Sequence, residues 1–548
     1  MLALLTSLAA VSACIGADCG TTAFLAESLP ADIDLPLVAG AQNTWTAQVA
    51  LIEGAKHTLD ITAMYWNLLA QNDKYSDYTP AEFAAFGAAQ GRAVYDAFAD
   101  AIGRGVRVRF LNGAGIGSSN ATEVDDLVAL ARSPGQVQAL TWDAADWYGG
   151  GIMHQKVWIA DGAQGGASVY LGSANMDWLS LSQVKELGVV VQRAPRLAAD
   201  MTKLFQRWWL WADPATPMPA DPPNVTAFDP TFGVNRSVPC WSTLLDGGGG
   251  GGGGKGKGKA AAARCASPLD APELVSAYGE RHPLHSDING AAARSYVSGS
   301  PVELLEGGVG DGGGAGPGRT WDQDALVSTI LGAERSVSLS VMDFIPSSLY
   351  TPPAAPLWWG ALANALLTAA TAKGVQVRLL VSKWAHTNAR IAPFLAALKA
   401  MGAAAHADAG SYAPQCKGSL AVKLFVMPGW NETRSDPPAN GKYPPYSRVN
   451  HAKYIVTDQR VNVGTSNMAW GCKSSLLPPT PRPCVGALTL THHTHTSPPP
   501  PPSLPLTITQ DFHTTAGASF NSNSSSLVAG LQAVFDRDWS SPYAEDFV

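Results

Sequence analysis

Charge is scarce in this chain, and an excess of basic residues is absent. Only 15% of its 548 residues are Asp, Glu, Lys or Arg, and the acids outnumber the bases 44 to 37, a formal charge of −7. That balance excludes a protein that coats nucleic acid through a generally basic surface, since such domains are usually strongly basic. An enzyme whose positive charge lines a single groove is still allowed. Cysteine is sparse as well: Cys14, Cys19, Cys240, Cys265, Cys416, Cys472 and Cys484 show no C-x-x-C spacing, so nothing in them resembles a zinc site. No apolar run beyond the N-terminus is long enough to cross a bilayer, which takes about 20 residues. The N-terminal run, Leu2 through Ala17, is shorter than that and has no Lys or Arg before it. It reads as a signal peptide over residues 1–17, cut after Ala13 or Ala17, with a signal anchor associating the protein with a membrane as the alternative.

What is present is a repeat. His154-Gln155-Lys156, with Asp161 five residues beyond the Lys, recurs as His451-Ala452-Lys453 with Asp458 at the same offset, so the pattern H-x-K-x(4)-D occurs twice. Each copy is followed by a small-residue turn ending in Asn: Gly172-Ser173-Ala174-Asn175 and Gly464-Thr465-Ser466-Asn467. A lone His on a strand is ordinarily a satisfied core or surface residue; two copies with the same Lys, Asp and Asn turn point to a duplicated half-site. Other segments repeat in the same order. Leu59 to Trp66 answers Val337 to Phe344, Gly105 to Arg109 answers Gly374 to Arg378, and aromatic segments, Phe205 to Trp211 and Phe535 to Trp539, close the two halves. Each half is therefore expected to hold βαβ units around a largely parallel sheet, with the Trp residues in the core. An apolar content of 46% lets a chain of this length bury two sizeable cores.

The flanks Val157-Trp158-Ile159 and Tyr454-Ile455-Val456 are β-branched and aromatic, so both motifs are expected on buried strands with each His and its Lys on one face. An imidazole beside an ammonium is a poor core pair, because an unpaired buried charge is strongly unfavourable. An anion completes it. A phosphodiester fits: Lys156, Lys453, Asn175 and Asn467 hold its non-bridging oxygens, with Ser173 and Thr465 in support. His154 and His451 then divide the displacement, one attacking phosphorus and the other protonating the leaving oxygen. Asp161 and Asp458 lie an odd number of positions from the His–Lys face and are expected to fix turns rather than touch phosphate. No carboxylate or Cys/His cluster with ligand spacing accompanies the triads, so neither metal nor other cofactor is expected.

These residues resemble the phospholipase D superfamily, whose mark is the duplicated H-x-K-x(4)-D. Leu171 to Trp178, Gln183 to Val189, Val449-Asn450-His451 and Arg537 to Tyr543 narrow the resemblance to the branch holding the animal endolysosomal phospholipase D members three and four. It covers about residues 25–215 and 320–548. It implies an α/β protein of two homologous α/β/α lobes sharing one active site at their interface. It further implies a metal-free phosphodiesterase whose substrate the motif alone does not set: single-stranded nucleic acid cut from its 5′ end, or phospholipid. Superfamily members place a carboxylate that orients a catalytic His where Glu186 stands, eleven residues past Asn175. The first half retains it, which favours His154 as nucleophile. No Glu stands in the matching place after Asn467, where a Pro- and Thr-rich segment at about 472–505 reads as an insertion or a retained intron. Within it His492, His493 and His495 read as low complexity, and Leu506 to Gln510 then resumes a strand-like sequence.

These readings divide the chain into the leader, a first lobe at 25–215, a flexible Gly-rich connection at 216–320 and a second lobe at 321–548. Sequons at Asn120, Asn224, Asn235, Asn431 and Asn523 join the leader in favouring a secretory route, to a lysosomal or vacuolar lumen or outside the cell. The expected activity is that of an acid lumenal exonuclease on single-stranded DNA or RNA. The alternative is a phospholipase D or transphosphatidylase, in which an alcohol replaces water. An inactive binding protein is the remaining class, resting only on the interruption after Asn467. Two-histidine chemistry predicts an optimum at about pH 5 to 6, because one imidazole must be protonated while its partner is neutral.

Overall fold

The computed structural model describes residues 20–71, 78–114, 122–162, 166–218, 224–229, 234–246, 265–269, 271–301, 318–348, 358–412, 418–434, 441–470 and 515–547. The leader, most of the two Gly-rich runs, Asn120 and the segment from 471 to 514, including its three His and Leu506 to Gln510, lie outside these residues.

Two mixed sheets carry the fold. In the first, β1 (Thr22–Ser28), β2 (Gln42–Asn43), β3 (Thr58–Ala63), β4 (Arg107–Gly113), β5 (Val137–Trp142), β6 (Val157–Ala160), β7 (Ser168–Gly172) and β8 (Glu186–Gln192) run in the order β2-β1-β8-β7-β6-β3-β4-β5. The neighbours β3, β4 and β5 are parallel, as are β1 and β2, while β1, β8, β7, β6 and β3 pair antiparallel. The expectation of a largely parallel sheet is thus corrected. The motif strand β6 turns straight back into β7 as a hairpin, and a short connection can only pair antiparallel. The second sheet holds β9 (Leu284–Ile288), β10 (Ala291–Ser300), β11 (Ser336–Val341), β12 (Gln376–Lys383), β13 (Ser419–Val426), β14 (Lys453–Thr457), β15 (Val461–Gly464), β16 (Gly517–Ser522) and β17 (Ala544–Asp546). Their order, β9-β10-β16-β15-β14-β11-β12-β13-β17, repeats the first sheet strand for strand from β10 to β13. The second lobe therefore begins near Leu284, inside the stretch expected to be flexible. Ala291–Ser300 is mostly Ala, Ser and Gly, which carry little strand preference, so pairing with β16 rather than composition makes it a strand. A disulfide joins Cys240 to Cys265 in the connection, with Cα atoms 5.5 Å apart.

Strand alternation sorts the side chains into layers. Val157 and Ile159 of β6 face a central core that also takes Tyr454 and Val456 of β14. Trp158 and Ala160 face an outer core under α1 (Thr44–Gly54) and α2 (Ala89–Gly103), whereas Ile455 faces the opposite outer core under α4 (Asp322–Leu331) and α5 (Ala361–Thr371). Between the sheets lie α3 (Pro195–Ala212) and α6 (Ser525–Ser540), which carry the two aromatic segments. Their Trp residues pack in the core: the Arg109 guanidinium sits 4.8 Å over Phe205, and that of Arg378 4.9 Å over Phe535.

The lobes are stitched at the motifs themselves. His154 N donates to Ala516 O (2.9 Å) and Ala516 N to Ile152 O (2.9 Å); in the repeat, Lys185 N donates to Val449 O (3.0 Å) and His451 N to Lys185 O (2.7 Å). Beside this second stitch lies a buried charge cluster. The Lys185 ammonium, fully shielded from solvent, is 2.9 Å from both Glu27 of β1 and Asp538 of α6, and Arg537 bridges the same two carboxylates at 2.5 and 2.6 Å. Burial alone would raise the Glu27 carboxyl, but Lys185 and Arg537 hold it below the ordinary carboxylate range. Removing one member of a buried ion pair leaves an uncompensated charge, so Lys185→Met should lower the unfolding free energy by about 3–5 kcal/mol. Denaturant titration checks this, and an unchanged transition would show that the cluster does not hold the lobes.

Candidate active site

Both H-x-K segments lie at the mouths of their hairpins, where β6 and β14 begin. The Asp residues secure the far ends. Asp161, in the left-handed region with φ 52°, accepts the backbone N–H groups of Lys56, His57 and Thr58 at 2.7 to 2.9 Å, just where β3 starts. Asp458 does the same for Glu334, Arg335 and Ser336 at 3.1 to 3.2 Å ahead of β11. Both carboxylates tie a motif strand to its antiparallel neighbour, and neither is part of the His–Lys cluster.

The other motif residues are sunk between the lobes. His154 is 5% exposed and Lys156 and Lys453 are each 1% exposed. Each Lys curls back on its own His: Lys156 Nζ donates to His154 O (2.9 Å) and Lys453 Nζ to His451 O (2.6 Å). Burial, then Lys156, then Lys453 and His451 from the other lobe, push the His154 imidazole well below the ordinary His range, and the Thr465 backbone offsets this only weakly. The two half-sites therefore share one field. Burial also depresses His451, to about 4, against the opposing pull of Glu186.

Glu186 corrects the expectation drawn from its position in the first half. Both its carboxylate oxygens lie 2.9 Å from Nδ1 of His451, in the other lobe. Burial would raise this carboxyl, yet His451 and then Lys453 keep it below its usual value, so it is anionic. Retention of Glu186 thus supports His451, not His154. The reason is topological: β8 runs to the lobe interface, where the stitch at Lys185 aims the next side chain across it. The register shows what the second lobe has instead. Gly188 faces Gly172 and Ser519 faces Gly464, while Ser173 N donates to Leu187 O and Thr465 N to Ala518 O, each at 3.0 Å. Gly517 therefore occupies the place of Glu186. It stands fifty residues past Asn467 rather than eleven, which hid the equivalence in the sequence.

Ser173 and Thr465 hold the strands that carry these positions. Ser173 Oγ accepts Leu187 N (2.9 Å) and Thr465 Oγ1 accepts Ala518 N (3.1 Å). Asn175 and Asn467 are buried, each with an amide oxygen that finds no partner among the described residues. Asn175 Nδ2 donates to the Tyr65 hydroxyl (3.4 Å), which donates to Asp177 (3.0 Å), a carboxyl that burial raises to about 7. Tyr65 and Asp177 were not singled out by sequence; the signal was that the second copy carries Asp343 and Ala469 in their places.

Two basic half-sites closed over a pair of imidazoles form a site for an anionic ester, and the histidines make it a phosphodiester-handling enzyme rather than a passive anion binder. Comparison with known proteins gives the family. The model described as "Cardiolipin synthase, PLD-like domain" matches residues 49–209, and that described as "PLD3/4, PLD-like domain" matches residues 268–429. The chain is 29% identical over 524 residues to "Phospholipase D Z" of Dictyostelium discoideum, covering 95% of this chain and 89% of that protein. It is 28% identical over 532 residues to "5'-3' exonuclease PLD4" of Mus musculus, covering 95% and 79%. A solved phosphatidylserine synthase of Haemophilus influenzae aligns over 92% of this chain and 85% of that chain, at 10% identity and a TM-score of 0.42. This chain belongs to the phospholipase D superfamily.

Replacing Glu186 by Gln removes the group that favours the protonated imidazole, so the His451 pKa should fall further below its value in the native protein. A histidine-selective NMR titration reads this directly. An unmoved His451 resonance, or movement of His154 instead, would contradict the contact.

Proposed function

We propose that this protein hydrolyses phosphodiester bonds through a phosphohistidine, as an acid exonuclease on single-stranded DNA or RNA. The observation that carries the reading is the unequal support of the two histidines. His154, surrounded by positive charge and without a carboxylate, is neutral and serves as nucleophile. His451, held at Nδ1 by Glu186, is the imidazole better able to carry a proton on its other nitrogen, and serves as general acid. His154 nitrogen bonds to phosphorus as the P–O bond to the leaving group breaks, and His451 delivers its proton to that oxygen. Neutral His451 then takes a proton from water, whose oxygen attacks phosphorus and releases His154. Lys156 and Lys453 neutralise the non-bridging oxygens throughout. The assignment of His154 is the one expected from sequence, on opposite grounds.

A nucleic acid substrate is favoured by relatives named as 5'-3' exonucleases and by the surface five residues before His451. There Tyr446, 42% exposed, stacks on His386 with ring centroids 4.7 Å apart, and Trp384 meets His386 at 4.8 Å. Exposed aromatic faces of this kind stack bases without regard to sequence. The second reading, a phospholipase D or transphosphatidylase, is favoured by the name of the Dictyostelium relative. No helix among the described residues is long and apolar enough to cross a membrane. A secretory or lysosomal lumen is supported by the Cys240–Cys265 disulfide and by the exposed sequon residues Asn235, Asn431 and Asn523.

His154→Ala and His451→Ala should each lower kcat by about three orders of magnitude or more on labelled single strands, with phosphatidylcholine assayed alongside. Full activity in either variant refutes the mechanism; turnover of lipid alone replaces the first reading with the second. Because both imidazoles titrate below the ordinary His value, the protonated His451 is lost as pH rises, and kcat/KM should fall from acid to neutral pH. A profile rising to pH 9 would contradict this. Chelator should leave turnover intact, since two ammonium groups already meet the phosphate; loss with EDTA restored by one added ion would overturn the metal-free scheme.

A further inference from the structure

The second lobe gives His154 no carboxylate from its strand, yet a carboxylate reaches the same place from elsewhere. A Cβ on Gly517 would meet Ser466 Oγ at 2.4 Å, Ser300 Oγ at 2.6 Å and Asp322 Oδ2 at 3.4 Å. A side chain leaving β16 at this point would have to displace the Ser466 and Ser300 hydroxyls, which with the tip of Asp322 fill the path that Glu186 takes in the first lobe. Asp322 opens α4 and is fully buried; its Oδ1 accepts the Ser298 hydroxyl at 2.6 Å, and its Oδ2 has no hydrogen-bond partner among the described residues. Ser466 Oγ and His154 Nδ1 are likewise buried without a partner among those residues. Buried polar atoms are seldom left so. Ser466 Oγ and Asp322 Oδ2 flank Gly517, and the His154 segment is tied to the same strand: His154 N is bonded to Ala516 O just before it, and the Gln155 amide to Gly517 O at 3.0 Å. The three groups are also complementary, since a ring N–H can donate to a hydroxyl and the hydroxyl to a carboxylate.

We propose that Asp322 is the positioning residue for His154, acting through the Ser466 hydroxyl in the place that the first lobe gives to Glu186. The inference rests on His154 being the nucleophile. In the free protein the neutral imidazole makes little demand on Asp322. Once nitrogen bonds to phosphorus the ring becomes cationic, its Nδ1–H turns toward Ser466, and the Ser466 hydroxyl turns toward Asp322, so the support arrives with the charge it stabilises. A direct carboxylate contact, as at His451, would instead favour protonation of His154 and silence it before attack. The groups around this relay are few: Asp322 faces the hydroxyls of Ser298 and Ser519, and His154 faces Lys156, Lys453, His451 and the Thr465 backbone. Burial raises the Asp322 carboxyl to about 6 while His451 titrates at about 4, so the step should be fastest between these values, with an acid limb that depends on Asp322.

Rapid-quench measurement of phosphohistidine formation on a labelled single strand tests the proposal in Asp322→Asn, Ser466→Ala and the double variant. Each single variant should slow formation about tenfold with KM unchanged, the double should be no slower than either alone, and Asp322→Asn should erase the acid limb. Rates and pH profile matching the native protein in Ser466→Ala and Asp322→Asn would overturn it, as would strictly additive losses. If Asp322→Asn does not fold, Ser466→Ala decides alone, with native formation kinetics as the contrary result. Mapping the trapped phosphoryl group separates the two levels: on His451 it refutes the assignment of the nucleophile and this inference with it, whereas on His154 with unaltered kinetics it refutes this inference only.

Discussion

The contact between Glu186 and His451 is the point on which the arrangement turns, because its two members come from different lobes. A buried carboxylate stays ionised only when compensated, and here the compensation is an imidazole and an ammonium supplied by the other half of the chain. The adjacent residue, Lys185, extends the same constraint in the opposite direction, clamping its ammonium between Glu27 and Asp538 while its carbonyl receives His451 N. Backbone stitch, ion cluster and catalytic pair thus occupy consecutive positions. Moving the lobes apart by a single hydrogen-bond length would strand charge on both sides, so the site and the interface are the same object.

Duplication supplied two copies of the chemistry, and divergence made them unequal. Glu186 is matched by Gly517, Tyr65 by Asp343 and Asp177 by Ala469, whereas the His, Lys, Asp and Asn positions are retained in both. The retained set does what either half requires: it concentrates positive charge and fixes the strands. Within the altered set, Glu186 favours the protonated form of His451. Two identical histidines this close would titrate as an undifferentiated pair; a carboxylate given to one of them separates a base from an acid.

The chemistry was legible in the sequence because it is written in short repeats. The H-x-K pairs, the turn-fixing Asp residues and the core aromatic segments depend on local spacing, and β6 and β14 announce themselves through Val157-Trp158-Ile159 and Tyr454-Ile455-Val456. Strand direction was less legible, since βαβ units and hairpins use the same residues and differ only in which neighbour they choose. Ala291–Ser300 carried no strand signal of its own and is ordered by β16. The destination of Glu186 could not be read at all: a residue's offset from a motif fixes its strand, not the lobe that its side chain enters. Nor could the partners of Lys185 be read, since Glu27 and Asp538 lie more than 500 residues apart in the chain.

The central claim, that the orienting carboxylate crosses between lobes, is tested most directly by two double-mutant cycles on unfolding free energy at neutral pH. One pairs Glu186→Gln with His451→Gln, the other Glu186→Gln with His154→Gln. The structure predicts a coupling of about 1–3 kcal/mol in the first cycle and additivity in the second. Coupling of Glu186 to His154, with none to His451, would contradict the account.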